Sequence, residues 1–301
     1  MLIQEEYDNI FKYYQQGIYN VGDKRIVAIG DIHGDYKVFI NVLRKANIID
    51  NRNNWIAKDT HVVQVGDILD RKSRTDNNYS DEDSEFLIIG LILKLQIESF
   101  LKNGGYHPII GNHEMMNIMG VFDYVSPKGL QHFKSFEDRR KYFEIGNNFC
   151  KYLASGWNPI IKINDFLFCH GGIKYCIASK YSIEYINEFM RNTLYSKKMN
   201  LYKKEFQDIF INENSILWNR HFSEDKIEEP VYYKELMNVL KIYNSKYMVL
   251  GHTPQEDGIK SKYNGRVFCI DTGMSAAFHS EESNKVNVHY LEIIDNKIKI
   301  H

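Results

Sequence analysis

The sequence predicts an α/β fold of central β-sheets flanked by helices, and three observations support that prediction. Short apolar runs recur along the chain, and each is followed within two residues by a glycine. Segments with helical spacing separate the early runs, as expected when crossover helices join parallel strands. The runs are apolar at nearly every position, which is typical of strands covered on both faces. The five runs are residues 25–29, 61–65, 107–110, 166–169 and 247–250.

Hydrophobic periodicity predicts the remaining elements. Residues 35–46 carry apolar side chains on one helical face, so this segment is predicted to be an amphipathic helix. Residues 85–101 are apolar nearly all round, which predicts a buried helix. Short apolar segments bounded by turn residues predict further strands within 266–270 and 286–300.

The chain is predicted to form one domain spanning residues 1–301, a length that can bury a sizeable core. We assign the core to residues 25–173 and 246–294. Residues 115–157 and 174–245 are rich in Lys, Tyr and Asn and are predicted to be helical, with the second stretch forming a cap around the site. The sequence shows no internal repeat and no flexible linker.

Composition excludes several classes of protein. Lys and Arg total 38 against 39 Asp and Glu, so the near-neutral chain offers no overall field for nucleic acid or for an anionic membrane. No signal peptide is evident, and no apolar window is long enough to span a bilayer. The four cysteines form no C-x-x-C pair, so we expect reduced thiols and a cytoplasmic protein.

Polar residues that can bind metals follow each of the apolar runs. Because the carboxyl ends of parallel strands gather at one edge of a sheet, these side chains are expected to meet there. Carboxylate, imidazole and amide groups suit an open site for transition metals, whereas the absence of cysteine among these candidate ligands argues against a closed structural zinc site. The candidate ligands are Asp31, His33, Asp67, Asn112, His170 and His252.

The motifs that contain these residues resemble the calcineurin-like metallophosphoesterases. The Asp70-Arg71 pair and the single His113 are similar to the phosphoprotein phosphatase superfamily, and residues 111–120 and 270–278 resemble its Shewanella-like, bacterial-type branch. The resemblance extends from about residue 25 to residue 294. It implies the layered metallophosphoesterase fold with helical cap insertions.

The resemblance also implies a pair of metal ions, with manganese expected and iron or zinc as alternatives. Asp67 would bridge the two ions. One ion would be held by Asp31, His33 and Asp67, and the other by Asp67, Asn112, His170 and His252.

Further roles follow from the same resemblance. The substrate phosphate would be bound by Arg71, Arg220 and Asn112. The two arginines suit this role because guanidinium groups match phosphate oxygens in a planar fork. His113 would be the general acid that protonates the leaving oxygen, and Asp70 would orient its ring. The chain departs from the superfamily after Asp70-Arg71, where Lys72 replaces the usual glycine and a polar stretch, 73–84, follows.

The sequence therefore predicts a metal-dependent phosphomonoesterase, and a serine/threonine protein phosphatase acting on a phosphoprotein or phosphopeptide is the first hypothesis. Two alternatives remain at this stage. One is hydrolysis of a small nucleotide such as a dinucleoside polyphosphate. The other is a catalytically silent binding module, although the retained Asp70, Arg71 and His113 argue against it.

Overall fold

The computed structural model describes residues 4–75, 81–196, 203–224, 230–279, 287–295 and 297–301. Its strands are β1 (Ile18–Tyr19), β2 (Ile26–Ile29), β3 (His61–Gln64), β4 (Gly105–Pro108), β5 (Ile160–Ile163), β6 (Phe166–Cys169), β7 (Tyr247–Leu250), β8 (Lys260–Lys262), β9 (Val267–Cys269), β10 (Tyr290–Ile294) and β11 (Lys297–Ile300).

Helices surround these strands. They are α1 (Gln4–Tyr14), α2 (Tyr36–Lys45), α3 (Glu85–Phe100), α4 (Asn112–Ile118), α5 (Pro127–Gln131), α6 (Phe136–Phe143), α7 (Asn148–Gly156), α8 (Tyr175–Ala178), α9 (Ile183–Tyr195), α10 (Lys204–Phe206) and α11 (Pro230–Ile242). A π-helical turn covers Gln207–Ile211, and a 3₁₀ turn covers Ala276–Phe278.

The strands form two mixed sheets. One has the order β1-β5-β6-β7-β9-β8 and the other β11-β10-β2-β3-β4. Within each sheet three neighbouring strands run parallel, β6-β7-β9 and β2-β3-β4, while β10, β11, β5 and β8 supply antiparallel pairings. The predicted fold class is thus confirmed, although the sheets are not wholly parallel.

Alternate residues of the central strands face two separate apolar layers. In β2, Val27 and Ile29 pack in the large helix-facing core, whereas Ala28 belongs to the layer between the sheets. In β7, Leu250 and Val249 divide in the same way. Because both faces are covered, every position of these strands has to be apolar, and this explains the continuous runs in the sequence.

Most predicted elements lie close to their predicted bounds. The helix predicted over 35–46 is α2, and its N-cap residue Asp35 accepts a hydrogen bond through Oδ1 from the Val38 amide at 3.0 Å. The third run was placed two residues too late, because β4 begins at Gly105 and Ile110 lies beyond its end.

The cap predicted over residues 174–245 stays a prediction. Its helix α9 packs outside that region, against α7 and β5, whereas α11 packs within it, against α8. Ile186 and Met190 of α9 join the same apolar cluster as Leu153 and Ile160.

Among the described residues, no helix combines the length and the hydrophobicity needed to cross a bilayer.

Two buried histidines pair between the neighbouring strands β3 and β4. The Nδ1 atom of His61 lies 3.0 Å from Nε2 of His107, and the rings are stacked. Burial and the charge of Lys24 lower the pKa of His61 to about 4, and burial together with His61 lowers that of His107. Both imidazoles are therefore neutral in the folded protein at neutral pH.

This pair predicts a loss of stability in mild acid. Because the unfolded chain binds protons below about pH 6.5 while the folded chain does not, the free energy of unfolding should fall between about pH 6.5 and 4, by up to roughly 3 kcal/mol for His61. Urea denaturation at several pH values should show a shallower dependence for His61→Gln than for wild type. His132→Gln, at an exposed position, is the control. Equal slopes for His61→Gln and wild type would contradict the assignment.

Candidate metal centre and active site

The candidate ligands converge at the carboxyl ends of β2, β3, β4, β6 and β7. Each follows its strand by a few residues, and sharp turns direct the side chains inward. His33, Asp67, Asp70 and His252 have φ angles of 44°, 54°, 73° and 67°, in the left-handed region that non-glycine residues seldom adopt. Such strain persists where the surroundings fix it, and it is frequent at functional sites.

The carboxylate of Asp67 occupies the middle of this cluster. Its Oδ2 atom lies 3.2 Å from Nε2 of His170, 3.7 Å from Nε2 of His33 and 3.8 Å from Nε2 of His113. Its Oδ1 atom accepts a hydrogen bond from the His113 amide at 3.0 Å. One carboxylate oxygen thus faces three imidazole nitrogens, as expected for a group shared between two cations.

Two groups of metal-binding atoms lie around Asp67 within the described residues. One contains His33, Asp67 and His113, and the other contains Asp67, His170 and His252. Asn112 joins the second group, since its Oδ1 atom lies 2.7 Å from Nε2 of His170. The first group contains His113, which the sequence analysis assigned to acid catalysis.

Asp31 lies beside this cluster, and only one of its two carboxylate oxygens has a hydrogen-bond partner. Its Oδ2 atom accepts a hydrogen bond from the His252 amide at 3.0 Å, but Oδ1 is buried without a partner, as is Oδ2 of Asp271. Burial raises the pKa of Asp31, helped by repulsion from Asp271 and Asp67, and burial raises that of Asp271 to about 6. Unpaired buried carboxylates are costly, and a bound cation would compensate them. The residues therefore fit a dinuclear metal site with oxygen and nitrogen ligands.

Glu114 fixes the backbone that carries the central ligand. Its buried carboxylate accepts hydrogen bonds from the amides of Asp67, Ile68, Leu69 and Gly111, at 2.8 to 3.1 Å. Gly111 also has to lack a side chain, because a Cβ atom there would collide with Oδ1 and the amide of Asp67.

His113 and Asp70 form the closest acid–base pair of the site. The Nδ1 atom of His113 lies 2.7 Å from Oδ2 of Asp70, which orients the ring. Burial lowers the pKa of His113, but the nearby carboxylates of Asp67 and Asp70 outweigh burial and leave that pKa raised. These two carboxylates thus act in favour of the protonated ring, whose Nε2 atom faces the ligand cluster.

A buried network behind this pair was missed in the sequence analysis. Asn117 donates to Oδ1 of Asp70 at 2.8 Å, and the Asp70 amide donates to Glu85 at 2.8 Å. Arg139 is fully buried and donates to both Glu85 and Asn117. Asn117 could have been found, because it lies one helical turn after His113. Glu85 and Arg139 carry no local signal.

The two arginines assigned to phosphate binding differ in position. Arg220 donates from Nη1 to the His252 carbonyl at 2.7 Å and to Oγ1 of Thr253 at 3.0 Å, so it lies beside the second group of ligands. The side chain of Arg71 is only 2% exposed, and its Nη1 atom pairs with Oδ2 of Asp35 at 2.9 Å. Its phosphate-binding role stays a prediction.

Comparisons with known proteins agree with this geometry. The calcineurin-like phosphoesterase family matches residues 24–256. Shewanella-like protein phosphatase 1 of Plasmodium berghei is 34% identical over 91% of this chain and 73% of its own length. Shewanella-like protein phosphatase 2 of Arabidopsis thaliana is 30% identical over 84% of this chain and 72% of its own length. A solved cold-active protein-tyrosine phosphatase of a psychrophilic Shewanella species is 26% identical with a TM-score of 0.78, covering 94% of this chain and 79% of that one.

Proposed function

The chain belongs to the calcineurin-like phosphoesterase family, and from that premise we propose that it is a serine/threonine protein phosphatase. It is a hydrolase of a family that depends on two metal ions. The observation that carries the proposal is the Asp67 carboxylate facing three imidazole nitrogens, next to the hydrogen-bonded pair of His113 and Asp70.

The proposed ligands divide into two sets that share Asp67. Asp31 and His33 would complete one set, while the other is completed by Asn112, His170 and His252. Metal ions held there supply Lewis acidity and activate a water as nucleophile at neutral pH. Manganese is our first choice, and iron and zinc also suit these donors.

The remaining groups handle the substrate and the proton. His113, charged beside Asp70, would donate its Nε2 proton to the leaving oxygen as the phosphorus–oxygen bond breaks. Arg220 would hold a phosphate oxygen from the side of His252, together with the Asn112 amide. Arg71 would contribute positive charge from its buried position next to Asp35.

Phosphotyrosine is the second candidate substrate. Tyr124 is 41% exposed, its ring centroid lies 5.1 Å from that of His113, and the Phe278 ring lies 5.3 Å from that of His33. An aromatic leaving group could pack against such a rim. The name of the Shewanella structure, a protein-tyrosine phosphatase, supports the same option.

We also propose a cytoplasmic location, because the exposed Cys176 is a free thiol.

Metal removal tests the proposed function. We expect chelation to abolish hydrolysis of phosphopeptides and Mn²⁺ to restore it, because the clustered carboxylates would hold the metal ions that activate the attacking water. The assay should measure bound metal and should compare phosphoserine, phosphothreonine and phosphotyrosine peptides with a dinucleoside polyphosphate. Full activity in metal-stripped protein would contradict the two-metal site. Turnover of the dinucleotide alone would favour the small-nucleotide alternative, and binding of phosphopeptides without turnover would favour the silent module.

A further inference from the structure

Arg74 lies at the solvent-facing edge of the site. Neither the sequence motifs nor the family assignment points to this arginine. We propose that Arg74 binds the phosphate group of the substrate. This inference rests on the proposed phosphatase function, and it concerns a residue in the polar stretch that follows Lys72.

The guanidinium of Arg74 lies next to the first group of candidate ligands. Its Nη2 atom is 3.4 Å from Nδ1 of His33, and the same nitrogen donates to the Asp70 carbonyl at 3.1 Å. The ring of His33 in turn lies 4.8 Å from that of His113, measured between centroids. A phosphate held between the proposed acid and the proposed ligands would therefore lie close to this positive charge.

Two aromatic rings hold the guanidinium in place. The Cζ atom of Arg74 lies 4.7 Å from the centroid of Tyr124 and 5.6 Å from that of Phe278. Cation–π contacts of this kind fix the plane of an arginine. The Nη1 atom of Arg74 also donates to the Lys72 carbonyl. The side chain is half-buried, so it is ordered by its neighbours and still borders solvent.

The backbone around Arg74 is anchored on both sides of the site. The Arg74 amide donates to the Ala277 carbonyl at 2.7 Å, and the Lys72 amide donates to the Tyr124 carbonyl at 2.9 Å. These bonds tie the segment to the 3₁₀ turn and to the loop that carry the two rings. The position of the guanidinium is thus set by the fold and does not depend on one flexible side chain.

Arg71 is less well placed for direct contact with phosphate. Its guanidinium is buried and paired with Asp35, whose Oδ2 atom also accepts a hydrogen bond from the Ala276 amide. Moving Arg71 toward a phosphate would break that pair and leave a buried carboxylate uncompensated, which is strongly unfavourable. Arg74 is half-buried and lies beside the first group of ligands, with Nη2 3.4 Å from Nδ1 of His33.

The test is binding of inorganic phosphate to the Mn²⁺-loaded protein, measured by calorimetry. We expect Arg74→Gln to weaken phosphate binding about tenfold or more, as expected for the loss of a charge-assisted hydrogen bond. Arg74→Lys should recover only part of the affinity, because an ammonium lacks the planar fork. Lys72→Gln removes the same charge from an exposed position in the same segment and should leave binding unchanged.

Kinetics separate phosphate binding from contact with the peptide. If Arg74 holds the phosphate, kcat/KM should fall by a similar factor for a phosphopeptide and for nitrophenyl phosphate. Unchanged phosphate affinity in Arg74→Gln, or a loss confined to peptide substrates, would overturn the inference. Failure of the proposed function is distinguishable, because it would appear as wild-type protein that hydrolyses none of the phosphomonoesters. Phosphate calorimetry still tests Arg74 in that event.

Discussion

Asp67→Asn is expected to be the most damaging single substitution at the candidate ligands. The change keeps the size of the side chain, and its Oδ1 atom can still accept the hydrogen bond from the His113 amide. With Oδ1 kept there, an uncharged amide nitrogen takes the place of Oδ2, the one oxygen that faces His33, His113 and His170. Both metal positions should therefore weaken together, and kcat should fall about 10³-fold or more, equivalent to about 4 kcal/mol in the barrier.

The experiment should measure kcat on a phosphopeptide together with the number of metal ions bound per chain. Asp31→Asn is the matched comparison, because it removes the same charge from a carboxylate that belongs to only one of the proposed sets. It should lower occupancy of one position and cost less activity than Asp67→Asn. Near-wild-type turnover of Asp67→Asn with two bound metals would show that Asp67 is not the bridge.

The candidate metal ligands at the strand ends could be predicted because the signals for them lie close together in the sequence. A run such as 61–65 signals a buried strand through its composition, and the Gly66-Asp67 turn follows it directly. The parallel register of β2 and β3 then brings Asp31 and Asp67 to the same edge. No long-range information is needed to expect that meeting.

Other parts depend on contacts between distant segments, and periodicity does not encode them. β8, with the sequence Lys-Ser-Lys, is an edge strand without an apolar run, and β1 has only two residues. The bond from Arg139 to Glu85 joins residues that lie 54 positions apart. Arg74 reaches the site through the conformation of the loop after Arg71, at the point where the chain departs from its superfamily.

The second large effect is expected for His113→Asn, and it should depend on the leaving group. A serine alkoxide is a strong base that gains greatly from a proton delivered in the transition state, whereas nitrophenolate is stable without one. Loss of the acid should slow hydrolysis of a phosphoserine peptide within the roughly 10²–10⁴-fold range of general acid catalysis, and should slow nitrophenyl phosphate far less. A series of phosphate monoesters with graded leaving-group pKa should therefore give a steeper dependence of kcat on that pKa.

Two further measurements, the kinetics of Asp70→Asn and metal analysis of His113→Asn, decide whether His113 is the general acid or a metal ligand. The bond of 2.7 Å from Nδ1 to Asp70 orients the ring, so Asp70→Asn should show the same leaving-group bias more weakly, because the imidazole is retained but less well held. His113 also lies 3.8 Å from Oδ2 of Asp67, a position from which it could act as a ligand. In that case His113→Asn would lose metal and would slow every ester equally. A leaving-group bias with both metals bound assigns His113 as the acid, and equal losses across the series end that assignment.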